Sequence, residues 1–170
     1  MTTSTSPGRN ASVIDATAHT GTRRSAIVLM MFWQLTIDAN DPARLARFWG
    51  QVLGYQPAPP ESDTTWWAHY RGRLGGRDAF DDRIFDPDGR KPPLWFQEVP
   101  ESKAGKNRLH LDLYPTARDD SLPYDRRVEI VDAKVAELVE LGANVRRRER
   151  GDSYYFVVMH DPEGNEFCVS

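Results

Sequence analysis

The sequence predicts an α+β fold built from two tandem modules, each made of one strand, one helix and three further strands. A strand with alternating polar residues, 34–38, runs into a helix start at Asp41-Pro42, and a comparable strand reappears at 108–113. The turn signatures Asp86-Pro87-Asp88-Gly89 and Asp161-Pro162-Glu163-Gly164 occupy matching places in the two halves. These matches indicate a duplicated unit that lines a shared hollow with β-strands.

Bulk properties exclude several classes of function. A formal net charge of -3 over 170 residues provides no field that would attract nucleic acid or an anionic membrane. The single cysteine, Cys168, rules out an internal disulfide, and we therefore expect a cytoplasmic protein. The apolar run 26–33 is far shorter than the roughly 20 residues that span a bilayer.

The N-terminal segment 1–27 is predicted to be a disordered tail, because it is rich in Ser and Thr and lacks apolar periodicity. An alternative is that Met30 or Met31 is the natural start of the protein. The first module then occupies 28–100 and the second 101–170, and together they form one domain.

The first module opens with a strand at 31–38, followed by a helix whose start and end are both marked in the sequence. Asp41 is placed to cap this helix, and Pro42 sits in its first turn, where the missing N–H costs nothing. Gly54 follows the helix, where a left-handed C-terminal cap is expected. One helical face carries the apolar residues Leu45, Phe48, Trp49, Val52 and Leu53.

Three further strands are predicted in the first module, at 64–70, 80–85 and 94–99, with the Asp86-Pro-Asp-Gly turn before the last. The second module opens with a strand at 107–114. Its helix presents an apolar face and ends at Gly142. Strands at 144–149, 153–159 and 165–169 complete it. The residues of the helix face are Val128, Val131, Val135, Leu138 and Leu141.

The pattern resembles the vicinal oxygen chelate superfamily, and within it the glyoxalase-like domains. The matching pieces are Asp41-Pro42 with 45–49 and Leu53-Gly54-Tyr55, then 107–113, and finally 161–167. The resemblance implies two βαβββ modules that form a curved, partly open mixed β-barrel with the helices outside. It also implies a cleft for a small organic molecule, a divalent metal in many members, and a homodimer.

In metal-dependent members the ligands come from the first and last strands of each module. The corresponding positions here are Gln34, Gln97, Arg108 and Cys168. Arginine is permanently protonated and cannot coordinate a metal. Two neutral amides and a thiol form a poor set for hard divalent ions. We therefore predict no metal or other cofactor, with a divalent metal as the less favoured alternative.

A shifted metal site could use His110 and Glu166. The parallel strands that the resemblance implies would separate these side chains by about 13 Å, at ~3.3 Å per residue. One ion with ligands at about 2.1 Å cannot span that distance. His110 is then either a hydrogen-bonded residue inside the sheet, with Asp112 or Thr36 as partner, or a ligand contact or acid–base group.

The sequence leaves three functional hypotheses. The first is a protein that binds or sequesters a small organic molecule. The second is a lyase or isomerase in which His110 or Glu166 moves a proton next to a carbonyl, and a dioxygenase is less favoured. The third is a structural dimer with a filled cleft. Aromatic faces bury flat ligands well, and the predicted cleft residues are Gln34, Thr36, Trp67, Gln97, His110, Tyr155 and Glu166.

Overall fold

The computed structural model describes residues 32–61 and 65–170, without the side chain of Thr65. The predicted tail at 1–27 lies outside the described residues. Seven strands and three helices are found in the described part of the chain. In chain order they are β1 (Leu35–Ala39), α1 (Pro42–Leu53), α2 (Thr65–Arg73), β2 (Arg83–Ile84), β3 (Leu94–Glu98), β4 (Asp112–Leu113), α3 (Tyr124–Glu140), β5 (Asn144–Arg150), β6 (Tyr155–His160) and β7 (Glu166–Val169).

The strands form two sheets with related topology. The first has the order β1-β3-β2, and the second has the order β4-β7-β6-β5. In each sheet the opening strand pairs in parallel with the closing strand, and the closing strand pairs antiparallel with the strand before it. Neither sheet closes into a barrel within the described residues. The predicted α+β class and open two-module arrangement are confirmed, while the module boundaries stay predictions.

One predicted strand is wrong. Residues 65–73 form helix α2, although 64–70 was expected to extend along a sheet. The helix places Trp67 and Tyr70 three residues apart on the same face, where both are buried. They pack with Phe80 and Phe85 in a small aromatic core separate from the main one. A short apolar run with two aromatic residues is compatible with the two-residue period of a strand and with the 3.6-residue period of a helix. Here tertiary packing stabilises the helix.

Two other predicted strands are reduced to two residues each. Only Asp112–Leu113 of the segment 107–114 forms a strand, and only Arg83–Ile84 of 80–85 does so. The first of these, β4, pairs in parallel with β7, which extends over Glu166–Val169. Two residues of β7 pair with β4 in the described part of the chain. Residues 107–110 therefore lie outside the ladder, while the carbonyl of Leu111 still accepts a hydrogen bond from the N–H of Cys168 at 2.9 Å. The side chains of 107–111 line a cavity.

The main hydrophobic core spans both modules. Leu45, Phe48 and Trp49 of α1 pack against the first sheet and also against Phe167 of β7. On the second module the core continues through α3 and β6. Its fully buried members there include Val131, Val135, Leu138, Val157 and Met159. Since the two modules share one core, burial of apolar area stabilises them together.

The Asp-Pro-Glu-Gly turn of the second module reaches into the first. Asp161 is 1% exposed and accepts a hydrogen bond from the indole Nε1 of Trp49, at 3.1 Å. Glu163 accepts hydrogen bonds from the backbone N–H groups of Asn40 and Asp41 at the start of α1. A carboxylate at a helix N-terminus is favoured by the unpaired N–H groups and by the helix dipole.

The equivalent turn of the first module is held by Asp86, which is 7% exposed. Its carboxylate accepts hydrogen bonds from the backbone N–H groups of Arg90 at 2.8 Å and Lys91 at 2.9 Å. Burial raises the pKa of Asp86, but these N–H donors and the Lys91 charge outweigh it, so that the pKa lies below its ordinary value of 3.8. The charged form is therefore the stabilising one.

This lowered pKa predicts a dependence of stability on pH. A group whose pKa is depressed on folding contributes stability above its unfolded pKa and loses that contribution as pH falls through the folded value. We expect Asp86→Asn to reduce the free energy of unfolding by about 1 kcal/mol at pH 7, with the difference from wild type shrinking below pH 3.8. Urea denaturation across this range measures it, and a difference that stays constant with pH would contradict the assignment.

Candidate functional site

A cavity of about 940 Å³ lies between β1 and the segment 107–111. We call it the large cavity. β1 is the edge strand of the first sheet and β4, which follows 107–111, is the edge strand of the second. The cavity therefore lies where the two sheets approach each other without pairing. Its apolar wall consists of the half-buried residues Leu35, Ile37 and Leu111, together with the exposed Leu109.

Polar side chains reach the same cavity from both modules. Thr36 and Asp38 alternate with the apolar residues of β1 and are exposed. His110 comes from the segment before β4, and Glu166 comes from the first position of β7. A mostly apolar wall with a few convergent polar groups is the usual form of a small-molecule site.

The carboxylate of Glu166 is held by two donors, a backbone N–H and a lysine ammonium group. Its Oε2 accepts a hydrogen bond from the backbone N–H of Asn107 at 3.0 Å and lies 3.3 Å from the Nζ of Lys103. Burial raises the pKa of the Glu166 carboxyl, but the Asn107 N–H and the Lys103 ammonium outweigh it and lower the pKa below 4.5. A carboxylate in this state anchors the loop 103–107 and is a weak proton acceptor.

His110, Asp112 and Cys168 form a cluster next to the cavity. Their potential ligand atoms all lie within 4.8 Å of one another, and His110 Nε2 is 3.3 Å from Asp112 Oδ1. Asp112 is the register partner of Cys168 across β4 and β7. Burial raises the pKa of the Cys168 thiol, and the neighbouring Asp112 carboxylate raises it further. The thiol is thus protonated when no cation is present.

The donor set of this cluster fits one kind of metal. Nitrogen, oxygen and sulfur donors together suit a borderline ion such as zinc, whereas magnesium and calcium require oxygen ligands. Three protein ligands with further positions open are typical of a catalytic zinc centre. His110, Asp112 and Cys168 would hold such an ion, and it would polarise an oxygen of a bound molecule.

The register between β4 and β7 contradicts the separation of His110 and Glu166 that was expected from the sequence. The separation of about 13 Å between His110 and Glu166 rested on Arg108 lying opposite Cys168. In the structure Asp112 lies opposite Cys168, so the strand is shifted by four residues relative to that assumption. His110 and Glu166 accordingly line the same cavity.

Comparison with known proteins identifies the family. A family model described as glyoxalase-like domain matches residues 34–170. The chain belongs to the glyoxalase-like domain family. The resemblance to the vicinal oxygen chelate superfamily is thereby confirmed. A comparison with curated proteins found no match.

Solved structures similar to this glyoxalase-like domain have low sequence identity. A glyoxalase/bleomycin resistance protein/dioxygenase family enzyme from Burkholderia phytofirmans PsJN is 17% identical, covers 80% of this chain and 94% of its own, and superposes with a TM-score of 0.50. A possible glyoxalase from Bacillus cereus is 18% identical, with coverages of 82% and 97% and a TM-score of 0.47. A fosfomycin resistance protein from Mesorhizobium loti is 15% identical, with coverages of 83% and 91% and a TM-score of 0.43. The first of these shows a shared fold.

Three of the predicted cleft residues of this glyoxalase-like domain meet in the large cavity, namely Thr36, His110 and Glu166. Gln34 lines a different pocket, where it accepts a hydrogen bond from the hydroxyl of Tyr70. Gln97 pairs with Asp38 in the first sheet and is half-buried outside the large cavity.

The two aromatic residues predicted for the cleft lie elsewhere. Trp67 is 2% exposed and belongs to the aromatic core beneath α2, because the segment is a helix and not a strand. Tyr155 lines a separate depression beside α3, where its hydroxyl donates a hydrogen bond to Asp132 at 2.6 Å and accepts one from Arg148 at 2.6 Å. The structure therefore removes Trp67 and Tyr155 from the large cavity.

Two groups of site residues in this glyoxalase-like domain were not predicted from the sequence. One is the apolar wall of Leu35, Ile37 and Leu111. The other is the partnership of Asp112 with His110 and Cys168. The spacing of His110 and Asp112 was an available signal, because residues two apart on an extended segment project to the same side, but no such signal placed Cys168 beside them.

No helix in the described residues is long and apolar enough to cross a membrane.

Proposed function

We propose that this protein binds a small organic molecule in the cleft between its two modules, which is the large cavity. The observation that supports this most strongly is the cavity itself. It has about 940 Å³ of open volume and combines the apolar wall of Leu35, Ile37 and Leu111 with polar groups from both modules. This volume is near the upper end of the roughly 300–1,000 Å³ found for small-molecule sites.

Binding without turnover is the favoured form of this function. Glu166 is engaged by Asn107 and Lys103, which reduces its ability to take a proton. The side chain of His110 is 42% exposed, so water competes for contact with it.

We further propose that the protein acts in the cytoplasm as a homodimer. The exposed apolar residue Leu109 at the cavity rim supports association with a second copy.

A lyase or isomerase is the second candidate, and the His110–Asp112 pair favours it. An Asp carboxylate 3.3 Å from an imidazole nitrogen fixes the orientation of the ring, which is the role of the carboxylate in a His–Asp catalytic pair. A zinc-type ion on the cluster would strengthen this candidate by polarising a substrate carbonyl. In this version His110 either takes the proton or holds the ion.

A cavity-filling variant tests the binding site. Thr36 is exposed on β1 and lines the cavity, so Thr36→Trp places an indole in the open volume without removing a core residue. We expect molecules found in a thermal-shift screen of metabolites and antibiotics to bind this variant at least about tenfold more weakly. Isothermal titration calorimetry measures the change.

The matched control is Val145→Trp, which introduces the same side chain at an exposed position of β5 away from the cavity. It should bind the same molecules with wild-type affinity. Equal affinity of Thr36→Trp and wild type would refute the assignment of the site. Once a ligand is known, His110→Ala should weaken its binding modestly if the protein only binds, whereas in an enzyme it should abolish product formation.

A further inference from the structure

A second cavity, of about 360 Å³, lies between α2 and the first sheet. We call it the aromatic pocket. Its walls carry Trp33, Trp66, Tyr70 and Trp95, and two guanidinium groups, those of Arg73 and Arg83, reach it. It shares only Trp33 with the large cavity, so the two are separate sites. Its volume suits a molecule of one or two rings.

The charge of the aromatic pocket is positive. No Asp or Glu is among its lining residues. Arg83 is fixed by Asp82, whose two oxygens accept hydrogen bonds at 2.8 and 2.7 Å, and this pair is locally neutral. Arg73, at the end of α2, makes no ion pair or hydrogen bond with the described part of the chain. Its charge is therefore available to a bound anion.

An indole N–H in the pocket lacks a partner. The Nε1 of Trp66 is shielded from solvent and donates to no acceptor in the described residues. The corresponding nitrogen of Trp95 donates to Asp82 at 3.0 Å, so the two tryptophans differ in this respect. A buried donor without an acceptor is unfavourable, and a ligand oxygen beside Trp66 would relieve it.

A flat apolar surface is also available. The side chain of Trp33 is 59% exposed and makes no ring contact with another described aromatic residue. By contrast, Trp66 is stacked with Phe32 at a centroid distance of 4.1 Å. An exposed indole face at the mouth of a positive pocket favours a ligand that is both planar and anionic.

We propose that the aromatic pocket binds a planar aromatic carboxylate of one or two rings. The ring packs on Trp33, and the carboxylate lies within the field of Arg73 and accepts the hydrogen bond of Trp66 Nε1 after the indole turns toward the pocket. The site goes beyond the proposed function, because it shares only Trp33 with the large cavity and requires a different ligand chemistry.

Calorimetric titration with 2-naphthoate tests this proposal. We expect saturable binding, with the neutral 2-naphthamide at least about tenfold weaker because it cannot accept charge-assisted hydrogen bonds. Cyclohexanecarboxylate, which has the charge but no planar ring, should also bind more weakly. Absence of saturable naphthoate binding, or equal affinity for acid and amide, would overturn the proposal.

Variants separate a specific site from general attraction to arginine. Trp66→Phe keeps the ring and removes the N–H, and it should weaken naphthoate binding about tenfold. Arg73→Gln should weaken it about threefold to fivefold, since this arginine is exposed. The control Arg126→Gln removes another exposed arginine charge, from α3, and should leave binding unchanged. Equal effects of Arg73→Gln and Arg126→Gln would show that the pocket does not recognise the anion. Circular dichroism of each variant verifies that α2 remains folded.

Discussion

Replacing Asp161 by alanine is expected to lower the free energy of unfolding by about 3–4 kcal/mol. The carboxylate is buried and accepts hydrogen bonds from the backbone N–H groups of Glu163 and Asn165 and from the side chains of Trp49 and Asn165. Its removal leaves these donors without an acceptor and breaks a buried link between the modules. Urea denaturation at pH 7 measures the loss.

Two comparisons isolate the link between the modules. Asp86→Ala changes the equivalent turn of the first module, whose carboxylate binds only neighbouring backbone groups, and it should cost about half as much. A double-mutant cycle of Asp161→Ala with Trp49→Phe should yield a coupling energy of about 1–2 kcal/mol. Equal losses for the two aspartates, or a coupling energy near zero, would show that Asp161 only stabilises its own turn.

Titration of the protein with Co²⁺ is expected to produce the near-ultraviolet absorption of a cobalt–thiolate bond. The cluster of His110, Asp112 and Cys168 offers one nitrogen, one oxygen and one sulfur donor within 4.8 Å of each other. Metal binding must displace the thiol proton, so affinity should increase as pH rises through the neutral range. Absorbance at several pH values gives both the stoichiometry and this trend.

Variants of the cluster should affect cobalt binding in different ways. Cys168→Ser should abolish the thiolate band, and His110→Ala should weaken binding by about tenfold or more. The control His69→Ala removes an exposed histidine from α2, outside the cluster, and should have no effect. A band that persists in Cys168→Ser would disprove the site. Stoichiometric metal in protein purified without added ions would favour the lyase or isomerase over simple binding.

Helices α1 and α3 and most of the second sheet could be predicted from the sequence because their signals are local. The Asp41 cap, the apolar stripe and Gly54 define α1, and Gly54 does adopt a left-handed conformation at φ 68°. Helix α2 could not be predicted, because it has little amphipathic character and forms through packing of Trp67 and Tyr70 on Phe85. Local patterns carry no information about such distant partners.

The candidate site was only partly predictable because it depends on strand register. Thr36, His110 and Glu166 were selected as polar residues on the first and last strands, and they do line one cavity. The position of Cys168 opposite Asp112 is set by long-range pairing, and an error of a few residues changes which side chains meet. For the same reason the metal-binding potential of the cluster was not apparent from the sequence.

The contacts of Glu163 with the start of α1 have a consequence for the order of events during synthesis. Domains generally begin to fold from the N-terminal side while the ribosome is still translating. The N–H groups of Asn40 and Asp41 acquire their carboxylate partner only when residue 163 has left the exit tunnel. A nascent chain halted near residue 110 would therefore expose these two N–H groups without the carboxylate that accepts their hydrogen bonds in the finished protein.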